Sequence, residues 1–234
     1  MGSGDAGGAV GTIARATPQR SVENWRVLHE GNAYFDNHAR YQDRLHDRGV
    51  AQVLGLLRPS GDETLLEIGC GYGRLLHHLR PHVARVVGIE LAHEPLAEAA
   101  RLLASAGGAE LHVGDGVTLQ PLGDASIDCA CCFTVFQHMT REGVRGYLLE
   151  LARVLRPGGV AALQFLDDGT REREIVDEAR EQSLGYSASQ VCSAVEAAGL
   201  RVERLEREDL EGSHPGRGLG WWWVRAARPS VSLV

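Results

Sequence analysis

Leu65-Leu66-Glu67-Ile68-Gly69-Cys70-Gly71-Tyr72-Gly73-Arg74-Leu75 is the stretch that decides how this chain folds. Leu65 to Ile68 form an apolar run broken by one carboxylate, which suits a buried strand. Three glycines then alternate with Cys70 and Tyr72, and Leu75, Leu76 and Leu79 follow at spacings a helix accepts. Strand, glycine turn and helix together form the unit with which a parallel sheet presents backbone amides and a helix N-terminus to a ligand. The glycine spacing narrows the choice of ligand. A dinucleotide fingerprint of the G-x-G-x-x-G type needs glycine at position 74, where Arg74 stands. The pattern present is E-x-G-x-G-x-G, with Glu67 two residues ahead of Gly69.

Outward from this loop, alternating strand and helix signals continue. Arg58 to Asp62 form a turn before the first strand, Thr64 to Ile68. The second strand, Ala84 to Ile89, ends in Glu90, 19 residues beyond Gly71. In open α/β sheets an acidic side chain there accepts hydrogen bonds from ribose hydroxyls, although a strand-end carboxylate can also be merely solvated. A helix from Pro95 ends at Gly107-Gly108, and strand three, Ala109 to Val113, closes in Gly114-Asp115-Gly116, a sequence that suits a tight turn. Strand four, Cys129 to Phe133, is followed by His138. A helix from Arg141 to Arg156 is stopped by Arg156-Pro157-Gly158-Gly159, the strongest helix terminator in the chain, and strand five follows. Ser187 to Ala198 read as a helix with Ser187 or Ser189 as N-cap, Leu200 to Leu205 as strand six, and Trp221 to Ala226 as the last strand. The expected fold class is α/β, a doubly wound, mostly parallel seven-stranded sheet with helices on both faces. Residues 1–20 read as a disordered tail, 21–58 as an N-terminal helical cap, and 59–234 as one domain.

The 234 residues carry a formal net charge of −7, which argues against a nucleic-acid surface. All 24 basic residues are arginine, so lysine Schiff bases, a pyridoxal-phosphate lysine and a P-loop lysine are excluded within this stretch. Of the five cysteines, Cys129, Cys131 and Cys132 sit in an apolar strand-like run. Buried thiols in a reducing compartment fit better than a zinc site, and no metal is expected. Neither a signal-peptide core nor a long apolar run occurs, so a cytoplasmic protein without a membrane partner is expected.

Glu67-x-Gly69-x-Gly71-x-Gly73, together with Pro121-Leu122-Gly123-Asp124-Ala125-Ser126-Ile127-Asp128 and the run from Leu151 through Arg156-Pro157-Gly158-Gly159 to Phe165, resembles the class I S-adenosylmethionine-dependent methyltransferases. The resemblance covers most of residues 60–166. It implies S-adenosyl-L-methionine as cofactor and an antiparallel seventh strand. It also implies that an insertion at about 167–186, with its charged helix Arg171 to Arg180, contributes to a substrate lid. By the same resemblance, Glu67 binds near the methionine ammonium, Asp115 and Gly116 hold the adenine edge, and the backbone of Cys132 and Phe133 faces the methionine portion. Glu90 with Leu91 completes the ribose side, and Gly69, Cys70, Gly71 and Gly73 let the backbone approach the cofactor. Tyr34, in the aromatic-rich cap, is a candidate to close over the methionine carboxylate.

Methyl transfer by in-line displacement requires a positioned nucleophile and, for some acceptors, a base. His138 is the preferred base because imidazole titrates near neutral pH, with a structural role at the start of the next helix as the competing reading. Asp167, Asp168, His38 and Glu30 are further candidates. The acceptor is expected to be a small molecule, modified at O, N or C, and a homodimer is one option for assembly. Two other functions stay open at this point: a cofactor binder that does not methylate, such as a cyclase or partner subunit, and a NAD-dependent oxidoreductase on a similar sheet.

Overall fold

Successive residues on a strand point to opposite faces, and here that alternation builds two apolar layers. The computed structural model describes residue 23 and residues 49–167, 184–209 and 220–230. Its sheet comprises β1 (Thr64–Ile68), β2 (Arg85–Glu90), β3 (Glu110–Val113), β4 (Ile127–Cys132), β5 (Leu155–Asp167), β6 (Arg201–Asp209) and β7 (Gly220–Ala227). The helices are α1 (residues 49–57), α2 (Arg74–Leu79), α3 (His93–Ala104), α4 (Arg141–Val154) and α5 (Ala188–Ala197). On one face Leu66, Ile68, Val87, Ile89, Ala130 and Leu163 pack with α4 and α5; on the other Leu65, Val86, Cys129, Cys131 and Ala162 pack with α1, α2 and α3.

The spatial order is β3-β2-β1-β4-β5-β7-β6. Neighbours from β3 to β5 run parallel, whereas β7 is antiparallel to both β5 and β6. The seven-stranded sheet, the reversed last strand and helices on both faces are all as expected. From β1 the chain proceeds outward to β2 and β3, then returns to β4 on the other side of β1. This reversal makes a topological switch point between β1 and β4, and open α/β sheets bind ligands at the strand carboxyl ends there.

Most strand limits lie within two residues of the expected ones, but two features differ. The helix expected to run to Arg156 ends at Val154, because Leu155 is already extended (φ −63°, ψ 140°) and Pro157 disfavours a helical Arg156. The Arg156-Pro157-Gly158-Gly159 stretch is therefore a bulge inside β5 rather than a turn before it: pairing passes from Ile127–Leu155 to Cys129–Val160. Asp128 secures this bulge, accepting from Arg156 Nη1 at 2.5 Å and from the Thr64 amide at 2.8 Å. Strand six is also longer than Leu200 to Leu205, since β6 forms a hairpin pair with β7 as far as Asp209–Gly220. Ser187 is confirmed as the N-cap of α5, in a reciprocal capping box with Gln190.

The tail at 1–20 and the cap at 21–58, except Glu23 and residues 49–58, lie outside the described residues, as do residues 168–183 of the insertion. No helix among the described residues is long and apolar enough to cross a membrane.

Candidate functional site

The glycine loop between β1 and α2 sits at the switch point and is closed upon itself. The amides of Gly69 and Cys70 both donate to the Ile89 carbonyl (2.8 and 3.0 Å), the Gly71 amide donates to Glu90 Oε2 (3.0 Å), and the Gly73 amide donates to the Cys70 carbonyl (2.8 Å). Four donors that could cradle a phosphate are thus already engaged, which disfavours the dinucleotide reading. The glycines also have different reasons to be glycine. A Cβ on Gly69 would lie 2.4 Å from Val135 Cγ2, and one on Gly73 would lie 2.9 Å from Ala99 Cβ of α3. A Cβ on Gly71 would meet nothing within 4 Å, so only this glycine faces open space. A side chain at Gly69 or Gly73 would therefore collide with the protein's own packing. Cys70 turns its thiol into the core, where it would lie 2.7 Å from a Cβ on Gly88, so only its backbone can face a ligand.

Two buried carboxyl groups flank this loop. Glu90 is 7% exposed and accepts from the amides of Gly71, Leu91 (2.7 Å) and Ala92 (3.1 Å). Burial pushes its pKa up despite those three bonds. Glu67 is 3% exposed, and its Oε2 has no hydrogen-bond partner among the described residues. Burial pushes the Glu67 carboxyl well above the ordinary range, the Leu76 amide opposes this, and the Glu90 charge adds to it. Burial and the same two carboxylates also raise the Cys70 thiol. Carboxyl groups so placed offer acceptors to a cation or to hydroxyl donors and supply no positive charge for a phosphate.

Asp115 follows β3, whose Val113 pairs with Glu90. Its carboxylate accepts from the Val117 amide (2.8 Å), the Thr118 amide (2.6 Å) and the Thr118 hydroxyl (2.8 Å). Burial works against its charge, but these bonds prevail and hold its pKa below the usual value. The Asp-Gly turn inferred from sequence is therefore real, and it fixes the carboxylate beside the β2 and β3 ends; Gly116 takes φ +77° within it.

On the other side of β1, Ile68 pairs with Cys132. The Phe133 ring stacks on Trp223 (5.8 Å between centroids) and closes on Gly49 of α1, leaving its backbone for any ligand contact. Thr134 takes φ +55°, a sparsely populated conformation for a β-branched residue, with its amide held by Gln164 Oε1 at 3.0 Å. His138 ends the short 3₁₀ turn Phe136–His138. The cap of α4 is Thr140, whose hydroxyl accepts from the Gly143 amide, so capping is done by that residue rather than by His138. Asp167, at the end of β5, is buried and paired through Oδ2 with Arg207 Nε at 2.6 Å. Tyr34, His38, Glu30 and Asp168 lie outside the described residues.

Several residues at this end of the sheet went unnoticed in the sequence. Tyr147 of α4 lies beneath the site: burial, with the charges of Asp115, Cys132 and Glu90, drives its phenol upward. Gln164, a buried amide in an otherwise apolar run, was the one readable signal among them. Val135, Arg207 and the Arg141–Tyr186 pair, with the guanidinium 4.6 Å from the ring centroid, depend on contacts that spacing does not reveal. Among the described residues no group of three His, Cys, Asp or Glu side chains is arranged to hold a metal ion.

The strand order and the reversed seventh strand give an α/β fold of the kind found in methyltransferases of known structure. Comparison with known proteins agrees: residues 66–163 match the family model described as a methyltransferase domain. A probable S-adenosylmethionine-dependent methyltransferase of Mycolicibacterium smegmatis is 27% identical over 222 residues, covering 92% of this chain and 75% of that protein. The dTDP-4-amino-2,3,4,6-tetradeoxy-D-glucose N,N-dimethyltransferase of Saccharopolyspora spinosa is 31% identical over 143 residues, covering 57% and 56%. The Burkholderia thailandensis 1,6-didemethyltoxoflavin-N1-methyltransferase structure, with its substrate and S-adenosylhomocysteine bound, shares the fold with a TM-score of 0.75 at 20% identity, over 94% of this chain and 93% of that one. Residues 66–163 are thus similar to methyltransferase domains, and the chain shares its fold with methyltransferases of known structure. It spans 36%, 50% and 56% of the length of the first three curated relatives it matches.

Proposed function

We propose that this protein transfers the methyl group of S-adenosylmethionine to an O, N or C nucleophile of a small molecule. The observation that carries this reading is the pair of buried carboxyl groups, Glu67 and Glu90, beside a glycine loop whose amides are already engaged. An ammonium-bearing, hydroxyl-bearing nucleoside suits that arrangement, and a dinucleotide phosphate does not. The unpartnered Glu67 Oε2 and the open space over Gly71 fit the group. Glu67 would hold the ammonium and Glu90 the ribose hydroxyls beside Leu91. Asp115 and Gly116 would hold the adenine edge, and the backbone from Gly69 to Gly73 and at Cys132 and Phe133 would hold the remainder. Tyr34 is assigned to the methionine carboxylate. When bound, S-adenosylmethionine supplies a methyl made electrophilic by its sulfonium.

The chain's own work is then positioning and proton removal. His138 is assigned the base, accepting the proton of an acceptor hydroxyl or amine as the nucleophile forms its bond. Asp167 is the second candidate, with one oxygen committed to Arg207. Residues 21–58 and the insertion at 167–186 are assigned to covering the acceptor. Support comes from the described parts that adjoin them: Gly49 against Phe133, and Tyr186, whose amide donates to the Leu166 carbonyl (2.8 Å) and whose carbonyl accepts from Trp222 Nε1 (3.0 Å). The acidic charge and the small-molecule names of the relatives favour a small acceptor over nucleic acid.

The test is incubation with methyl-labelled S-adenosylmethionine and a panel of small-molecule nucleophiles, followed by mass spectrometry. A labelled product formed in step with S-adenosylhomocysteine supports the reading. Tight cofactor binding with no label transferred to any acceptor, alongside conversion of an acceptor at unchanged mass, would replace it with a non-methylating role.

A further inference from the structure

Glu67 is a buried acid that no cationic side chain pairs with among the described residues. It leaves β1 one residue before the strand ends and lies almost wholly out of solvent. The titratable groups acting with it come from the elements packed around it: Glu90 of β2, Cys70 of the loop, and Cys131 and Cys132 of β4. All of these are neutral or negative. Among the described residues, the favourable contact is the Leu76 amide of α2, and Oε2 has no partner. An ionised carboxylate in such surroundings is an uncompensated buried charge, so the neutral acid is favoured instead.

Resting on the reading of this site as the seat of S-adenosylmethionine, we propose that Glu67 is a proton-exchanging anchor: it carries its proton in the free protein and releases it to solvent when the ligand's ammonium arrives. The balance is simple. The O–H bond of the Glu67 carboxylic acid breaks, the proton passes to buffer, and the resulting carboxylate pairs with an ammonium that keeps its own protons. Raised basicity of Glu67 in the free site agrees with this direction. The anchor thus couples binding to pH. Affinity rises with pH by up to about tenfold per unit while the free protein's Glu67 is still protonated, and levels off above that range. It also gives the site selectivity for a cationic end group, because a neutral ligand offers nothing to offset ionisation.

The experiment is isothermal titration of the full chain with S-adenosylhomocysteine at pH 6.5, in buffers of different ionisation enthalpy. The amino group of that ligand stays charged at this pH, since α-amino groups titrate near about 8. The expected result is a heat whose dependence on buffer enthalpy shows net proton release in the wild type, and a slope of zero for Glu67→Gln. Glutamine copies the neutral acid, so the variant should keep the wild-type Tm without ligand. If it does not fold, the wild-type slope alone decides. Binding with no proton exchange, or the same slope in Glu67→Gln, overturns the proposal and leaves the cofactor reading standing. Failure of S-adenosylhomocysteine to bind at all overturns both.

Discussion

Replacing Gly69 by alanine separates two accounts of why the loop needs glycine. Gly69 takes φ +71°, and its Cβ position lies 2.4 Å from Val135 Cγ2 and 3.4 Å from Cγ1. Holding alanine in the left-handed region costs about 1–2 kcal/mol. Forcing a methyl into an occupied site adds about 1–3 kcal/mol of overpacking. Gly69→Ala should therefore lose about 2–5 kcal/mol of unfolding free energy by the sum of those terms. Val135→Ala in the same background should return the overpacking part and leave the backbone part. Urea unfolding followed by tryptophan fluorescence gives all four corners of the cycle, and the predicted coupling is about 1–3 kcal/mol, well above the scatter of independent sites. Additive effects within about 0.5 kcal/mol would refute the packing account. So would a stable Gly69→Ala that has lost only S-adenosylhomocysteine affinity, because that outcome locates the collision with the cofactor.

Three further substitutions probe the rest of the site. Glu90→Ala removes the acceptor of the Gly71, Leu91 and Ala92 amides and should weaken S-adenosylhomocysteine binding by about 1–3 kcal/mol in calorimetry; unchanged affinity would take Glu90 out of the site. His138→Ala should lower turnover on a methylated acceptor by roughly 10²–10⁴-fold while leaving cofactor affinity in place, and loss of folding would mark the residue as structural. For Asp115 the folded pKa is depressed, so its stabilisation is fully present above the unfolded value of about 3.9 and disappears as pH falls through the lower folded value. Urea midpoints of wild type and Asp115→Asn should differ at pH 7 and converge on acidification below about pH 4; a gap that persists in acid would contradict that sign.

The sheet was legible because its signals are local. The apolar run before Gly69, the carboxylate 19 residues beyond Gly71 and the Asp-Gly turn after β3 each declare themselves within a few residues. The antiparallel seventh strand came from family resemblance, since period-two alternation does not state strand direction. Arg156-Pro157-Gly158-Gly159 was read as a terminator, correctly for α4, but its place inside β5 follows from pairing with Ile127 and Cys129, which no local rule supplies. Site geometry was legible only where one residue's chemistry sufficed. Glu67 and Glu90 stand out in the sequence by their own chemistry, but the closure of the loop's amides by Ile89 and Glu90, the Val135 contact at Gly69 and the Arg207 partner of Asp167 arise from segments remote in sequence.

The most direct measurement is calorimetric titration of the purified full chain with S-adenosylhomocysteine and, separately, with NADH. Saturable one-to-one binding of S-adenosylhomocysteine that is weakened in Glu90→Ala, with no heat from NADH, is the result that Glu67, Glu90 and the closed glycine loop predict. Saturable binding of NADH without binding of S-adenosylhomocysteine would contradict it.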